Sequence, residues 1–413
     1  MIKQRQYDVI IIGAGPAGAC AAAQLARAGK QVLVVERQQF PRFSIGESLL
    51  PHAMQFLAQA GMLDAINAAA ERCAFQFKDG AAFHNGEQYT TFDFSEKTSA
   101  GPSHTYQVKR EQFDLILAEQ AQQAGAELHY QHSVEAIEPL SQGHRLGIRD
   151  SAQQLIQVDA RFVLDASGFG RVLPKLLDLE APSEFPVRKA IFCHVRCEQM
   201  AAPFNRNKIV IAVHPQQRDM WFWLIPFADG TASLGVVGEP RFSDDYADAA
   251  DALWQLVSEQ PYLRDFVARE QVIRAEQSLT GYSANVKQLA GDGYALLGNA
   301  GEFLDPVFSS GVTIALRSAC QAVPLVLREL AGESVDWQQQ YSVPLRRGIE
   351  TFRHFVEGWY DGRFQDVVFY EPQQARIKAM ICSILAGYAW DENNPYTQDS
   401  GRRLTVLSEL CQS

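Results

Sequence analysis

Tyr7-Asp8-Val9-Ile10-Ile11-Ile12-Gly13-Ala14-Gly15-Pro16-Ala17-Gly18 decides the fold. An apolar run rich in β-branched residues ends in a G-x-G-x-x-G turn. An Ala-rich helix follows, Ala19 to Ala28, and stops at Gly29-Lys30. A second apolar run, Val32-Leu33-Val34-Val35, closes on Glu36 and Arg37. The order strand, glycine turn, helix, strand, acidic residue is the fingerprint of a dinucleotide-binding βαβ unit. Gly13 permits the tight turn, Gly15 lets the backbone approach a pyrophosphate, and Gly18 lets the helix pack on the sheet. Pro16 and Ala17 open the helix, whose free N–H groups favour phosphate, and Glu36 can accept from a ribose hydroxyl.

The 413 residues call for two or three structural regions. The chain is 47% apolar and 21% charged, an ordinary globular composition. A net charge of −11 argues against nucleic acid as a partner. Met1 is not followed by a basic and then apolar leader, and the apolar stretch Ala379–Trp390 is too short to span a bilayer. These features predict a cytoplasmic protein with no integral membrane segment. Seven dispersed cysteines do not form a disulfide framework. Cys193, His194 and Cys197 cluster without a second ligand pair, so no metal is expected.

Outside the glycine turn, residues 52–72 read as a helix. Residues 75–83 alternate apolar and polar around Asp79-Gly80, which predicts a hairpin with Lys78 exposed at its turn. Four strands are expected between 127 and 164, the last running into Asp165. Residues 186–240 read as β-rich, and in Trp221-Phe222-Trp223-Leu224-Ile225-Pro226 the two tryptophans would share one strand face. Residues 313–331 and much of 337–413 carry helical spacing, with Phe352, Phe355, Trp359, Tyr360 and Phe364 as apolar or aromatic positions.

Several of these stretches resemble the motifs of flavin-dependent halogenases, within the p-hydroxybenzoate-hydroxylase-type flavoproteins. They are Ile45-Gly46-Glu47-Ser48 within 40–51, Phe77-Lys78 with Phe83, Val108-Lys109-Arg110 with Phe113-Asp114, Asp165-Ala166-Ser167-Gly168, W-x-W-x-I-P at 221–226, and Gly298-Asn299-Ala300 with Asp305-Pro306 through Ser310-Gly311-Val312. The resemblance implies an α/β fold: a Rossmann-like FAD-binding domain (1–72, 105–185 and 275–335), a β-rich substrate domain (73–104 and 186–274) and a C-terminal helical cover (336–413). It implies FAD as cofactor, with Ile45 to Ser48 along the flavin and Arg110, Asp165, Gly298, Asn299, Pro306 and Val312 also serving it. Lys78 would handle the halogen, and Trp221, Trp223, Ile225 and Pro226 would part flavin from substrate. Ser310 and Gly311 would bind halide at a helix N-terminus.

Two departures bear on function. Asn299 stands where the family usually has Asp, and Phe308 where tryptophan-specific members have Glu. The implied activity is halogenation, by reduced FAD, oxygen and halide, of a phenol, a pyrrole or a carrier-bound aromatic other than free tryptophan. With one nucleotide fingerprint in the chain, a separate flavin reductase is the implied electron source. The alternatives are a monooxygenase, dehydrogenase or protein-maturation oxidase of the same family without halogenation, and a non-catalytic FAD-binding protein.

Overall fold

The computed structural model describes residues 6–86, 88–199, 203–371 and 374–412. In strand Gln6–Ile12 the run from Val9 to Ile12 is uninterrupted and apolar because both of its faces are covered, as befits the middle of a parallel sheet. It pairs in parallel with Val32–Glu36 on one side and Leu155–Asp165 on the other. Parallel strands Glu127–Tyr130 and Tyr294–Leu296 extend the sheet in the two directions. The antiparallel pair Ser133–Pro139 and His144–Arg149 folds back on Leu155–Asp165.

The register sets the position of the cleft. Ile12 lies opposite both Val35 and Asp165, and Asp165 lies opposite Leu296. Four strands therefore end level, and the four turns that follow them meet in one place, where open α/β sheets bind ligands. Helix Pro16–Arg27 leaves the first turn with Pro16 at its start, and helix Gly311–Leu330 packs beside it.

A second sheet, of seven strands, runs in the order Val272–Thr280, Lys189–Arg196, Thr231–Gly238, Trp221–Pro226, Lys208–Val213, Gly80–Asn85, Gln88–Asp93. Alternation along Trp221–Pro226 sorts its side chains. Trp221, Trp223 and Ile225 join the large core, and Phe222 and Leu224 join a separate core with Leu253 and Leu256 of helix Ala249–Glu259. The ring of Trp223 lies across Gly235, its partner in register; a Cβ there would stand 2.3 Å from the ring. Helices Val343–Tyr360, Arg363–Phe369, Ala375–Leu385 and Ser400–Gln412 follow, and Phe352, Phe355, Trp359 and Phe364 are buried among them.

Two local expectations are corrected. Residues 52–72 form two helices, Pro51–Gln59 and Leu63–Ala69, parted at Gly61 in the left-handed region. Residues 75–83 are not a hairpin. Gln76–Lys78 pairs with Thr105–Gln107, and Gly80–Asn85 pairs with Gln88–Asp93 and, in parallel, with Lys208–Val213. The Asp79 N–H donates to the Asn207 carbonyl, so Asp79-Gly80 is a step between two sheets.

Gly18 is the tightest point of the first unit. A Cβ there would stand 1.9 Å from the Gly13 carbonyl oxygen and 3.2 Å from the Ala166 Cβ. Gly18→Ala should lower stability by about 3 kcal/mol, the upper end of usual overpacking costs. Chemical denaturation of the two proteins checks this.

Candidate active site

The turns after the four level strands line one cleft: Gly13, Gly15, Pro16 and Ala17 after the first, Glu36 and Arg37 after the second, Ala166 to Gly170 after the third, and Leu297 to Asn299 after the fourth. Residues 42–48 close one side. Arg110 lines it too, and Phe303, Pro306, Ser309, Gly311 and Val312 close the far end. Trp221, Trp223 and Ile225 form the wall contributed by the second sheet.

A backbone cradle opens at the glycine turn. A Cβ on Gly15 would meet nothing nearer than the Arg42 guanidinium at 3.8 Å, so it would stand in the cleft itself. Glu36 is buried, with one carboxylate oxygen accepting from the Ala14 N–H and the other from the Gln38 N–H, both at 2.9 Å. This fixes its side chain at the cleft edge. The loop at 45–46 is held by Arg110, whose guanidinium donates to the Ile45 carbonyl at 2.7 Å and makes two bonds to Asp114. Arg42 donates to the same carboxylate. Arg42 and Asp114 escape sequence reasoning as site residues, although the i, i+4 spacing of Arg110 and Asp114 was readable.

Five predicted site residues do not line this cleft. Gly18 faces Gly13 inside the packing. Asp165 is fully buried and accepts from the Ser167 and Leu173 N–H groups, so it shapes the turn without facing the cleft. Pro226 ends the wall strand, and Ser310 is buried at the start of the Gly311–Leu330 helix, behind Ser309. Ser309, which the sequence did not flag, faces the cleft with a left-handed backbone at φ +56°. Such strain in a non-glycine residue recurs at functional turns.

Lys78 is the fifth, and it is not the exposed turn residue that the alternation predicts. It is 1% exposed. Its Nζ donates to Ser48 Oγ and to the Leu49 carbonyl, each at 2.7 Å, and lies 5.5 Å from the Phe94 ring centre. No carboxylate pairs with it among the described residues, and burial alone pushes its ammonium down to about 7. Ser48 lines the cleft, so a single hydroxyl stands between the cleft and this amine. The chain just beyond Phe94 is pinned from the C-terminal region. Ser383 Oγ accepts from the Thr98 and Ser99 N–H groups, and the Tyr388 hydroxyl donates to the Pro102 carbonyl.

Glu47 pairs with His194 at 2.9 Å beside the cleft. Cys193 points to the opposite face of that strand, into the second core. Among the described residues no group of side chains is arranged to hold a metal, and no helix is long and apolar enough to cross a membrane.

A family model described as the FAD binding domain matches residues 6–293. The chain belongs to the flavin-dependent halogenase family of FAD-binding enzymes. Among curated proteins it is 28% identical over 434 residues to the 1H-pyrrole-2-carbonyl peptidyl-carrier-protein chlorinase of Pseudomonas fluorescens, covering 99% of this chain and 93% of that one. Among solved structures it is similar to a flavoprotein/dehydrogenase from Cytophaga hutchinsonii at 39% identity and TM-score 0.94, with 99% of each chain covered. A flavin-dependent brominase is similar at 25% identity and TM-score 0.84, covering 98% of this chain and 99% of that one. The cofactor is FAD and the protein is an FAD-dependent oxidoreductase. The cradle at Gly15, the carboxylate at Glu36 and a cleft lined by the turns after all four strands fit that cofactor.

Two measurements check the site. Gly15→Leu fills the cradle from an uncrowded position, so the variant should fold and purify colourless; retention of FAD at unchanged affinity would overturn the placement. Lys78 binds fewer protons folded than unfolded between about 7 and its ordinary 10.5. The cost of burying its charge is therefore full below about 7, is relieved as pH rises across that window and is gone above it. Relative to Lys78→Met, the wild type should gain about 1–2 kcal/mol between about pH 7.5 and about pH 9, read by urea unfolding.

Proposed function

We propose that this enzyme halogenates an aromatic substrate, a phenol or pyrrole carried free or as an acyl group on a carrier protein, with Lys78 as the halogen-handling residue. The observation that carries the reading is the buried Lys78 amine, free of any carboxylate partner among the described residues and joined to the cleft through Ser48. Burial leaves a substantial neutral fraction near pH 7, and only the neutral amine is a nucleophile.

FAD, when bound and reduced, supplies with oxygen the two-electron oxidation that turns halide into hypohalous acid. The chain would hold the cofactor's diphosphate at Gly13 and Gly15, a ribose at Glu36, and its remaining length along residues 45–48 and 297–299. The free N–H groups at Gly311 and Val312, at the start of a 20-residue helix, are suited to halide. Trp221, Trp223 and Ile225 keep an aromatic substrate off the flavin. The Lys78 amine takes the halogen from hypohalous acid, forming an N–halogen bond and releasing water. It then passes the halogen to a ring carbon, which yields its proton to the restored amine. Reducing equivalents would come from a separate flavin reductase, since the nucleotide fingerprint occurs once.

The curated similarity to a chlorinase whose name specifies a carrier-bound pyrrole supports the carrier-bound option. Phe308, buried against Trp359 and Phe364, supplies no carboxylate at the position where tryptophan-specific members have Glu, which argues against free tryptophan with its charged amino acid end.

The test is incubation of FAD-loaded protein with a flavin reductase, a nicotinamide donor, bromide and a panel of phenols, pyrroles and pyrrolyl-carrier conjugates. A product mass shift that requires bromide is expected. Lys78→Ala and Lys78→Arg should end product formation with FAD binding intact, because a guanidinium stays protonated. Oxygenated product independent of halide would replace this reading with the monooxygenase alternative.

A further inference from the structure

Trp221 is 1% exposed, and its buried indole N–H needs an acceptor. It donates to the Tyr360 hydroxyl at 3.1 Å, and that hydroxyl donates to Asp305 Oδ2 at 2.8 Å. The directions are forced. An indole N–H only donates, so the tyrosine oxygen must accept, and its proton must go onward to the carboxylate. The other oxygen of Asp305 accepts from the Val307 N–H, which fixes the loop leading to Ser309 and Gly311. Three separate pieces of chain, the wall strand, the end of the Val343–Tyr360 helix and the turn at 305–309, thus share one hydrogen-bond chain.

Arg188 lies over the Tyr360 ring, its guanidinium carbon 4.0 Å from the ring centre, and is paired with Asp219. Tyr282 lines the cleft near Asp305; its buried hydroxyl stands close enough to favour the carboxylate yet makes no hydrogen bond among the described residues.

We propose that Tyr360 and Asp305 are positioning residues that act through the indole N–H of Trp221 and hold the aromatic wall at one angle over the cleft. What the fixed angle is for rests on the partition reading above; the hydrogen-bond chain itself needs neither halide nor substrate. Its strength depends on the ionisation of Asp305. The charged and titratable groups facing that carboxyl are Tyr360, Tyr282 and Arg188, and burial outweighs their combined help and pushes it up to about 6. Above that pH the Tyr360 bond is charge-assisted; below it the acceptor is a neutral carboxyl and the bond weakens about twofold.

The experiment is a pH titration of the FAD-loaded full chain, about pH 5 to about pH 8, by near-ultraviolet circular dichroism of the tryptophans. Wild type should show a transition centred near pH 6 that is absent from Trp221→Phe, which identifies it as the Trp221 signal. Asp305→Asn and Tyr360→Phe should each lose that transition while retaining FAD. A merely structural Tyr360 would lower thermal stability in Tyr360→Phe and leave the transition in place. Persistence of the transition in Asp305→Asn or Tyr360→Phe, or its survival in Trp221→Phe, overturns the proposal. Should Asp305→Asn fail to fold, the near-isosteric Tyr360→Phe and Trp221→Phe still decide it. Because no halide or aromatic substrate is present, failure here is distinguishable from failure of the halogenation reading.

Discussion

The contact between the Gly13 carbonyl and Gly18 is the constraint on which the site depends. It brings the Pro16–Arg27 helix down onto the sheet at the point where Gln6–Ile12 ends, and so directs the helix's free N–H groups across the cleft floor. Without a side chain at 18 the helix can approach; with any Cβ it must lift. The level register of four strands then does the rest, since Glu36, Ala166 and Leu297 leave the sheet at the same height. The cofactor cleft is thus a consequence of parallel pairing plus one missing methyl group. Its walls are supplied by pieces of chain far apart in sequence.

Those walls show how a strand with two buried faces can serve two purposes. Trp221 and Trp223 look into the cleft while Phe222 and Leu224 anchor the strand to a separate core. Gly235 leaves room for the Trp223 ring, and the Ser233 hydroxyl accepts its N–H at 3.1 Å. Trp221 cannot find such a partner within its own sheet and takes it from the C-terminal helices. That asymmetry explains why the helical tail bears on the site although none of its residues belongs to a recognisable motif.

What was legible in the sequence follows the range of the interactions concerned. The βαβ unit was readable because every contact that defines it lies within about 30 residues and is written in glycines and apolar runs. The shared face of Trp221 and Trp223 followed from strand alternation alone. The hairpin at Asp79-Gly80 was misread because the turn chemistry is local, whereas the partners that win, Thr105–Gln107 and Lys208–Val213, are not. The same non-local pairing buries Lys78, so its environment could not be read from alternation; only the family resemblance singled it out. Tyr360 sits 139 residues from Trp221, and its helical spacing marked it as one more packed aromatic.

Asn299 is the remaining departure, and its surroundings give it a physical sense. Its side-chain oxygen is the polar atom nearest the space that a Cβ on Gly311 would occupy, at 3.8 Å. A carboxylate there would set a full negative charge beside the helix N-terminus and oppose an anion on the Gly311 and Val312 amides. An amide keeps the capacity to bond a hydroxyl of the cofactor and brings no charge. Asn299 in place of the aspartate thus removes one electrostatic contact to the cofactor and, on the proposed halide reading, removes a repulsion at the same turn.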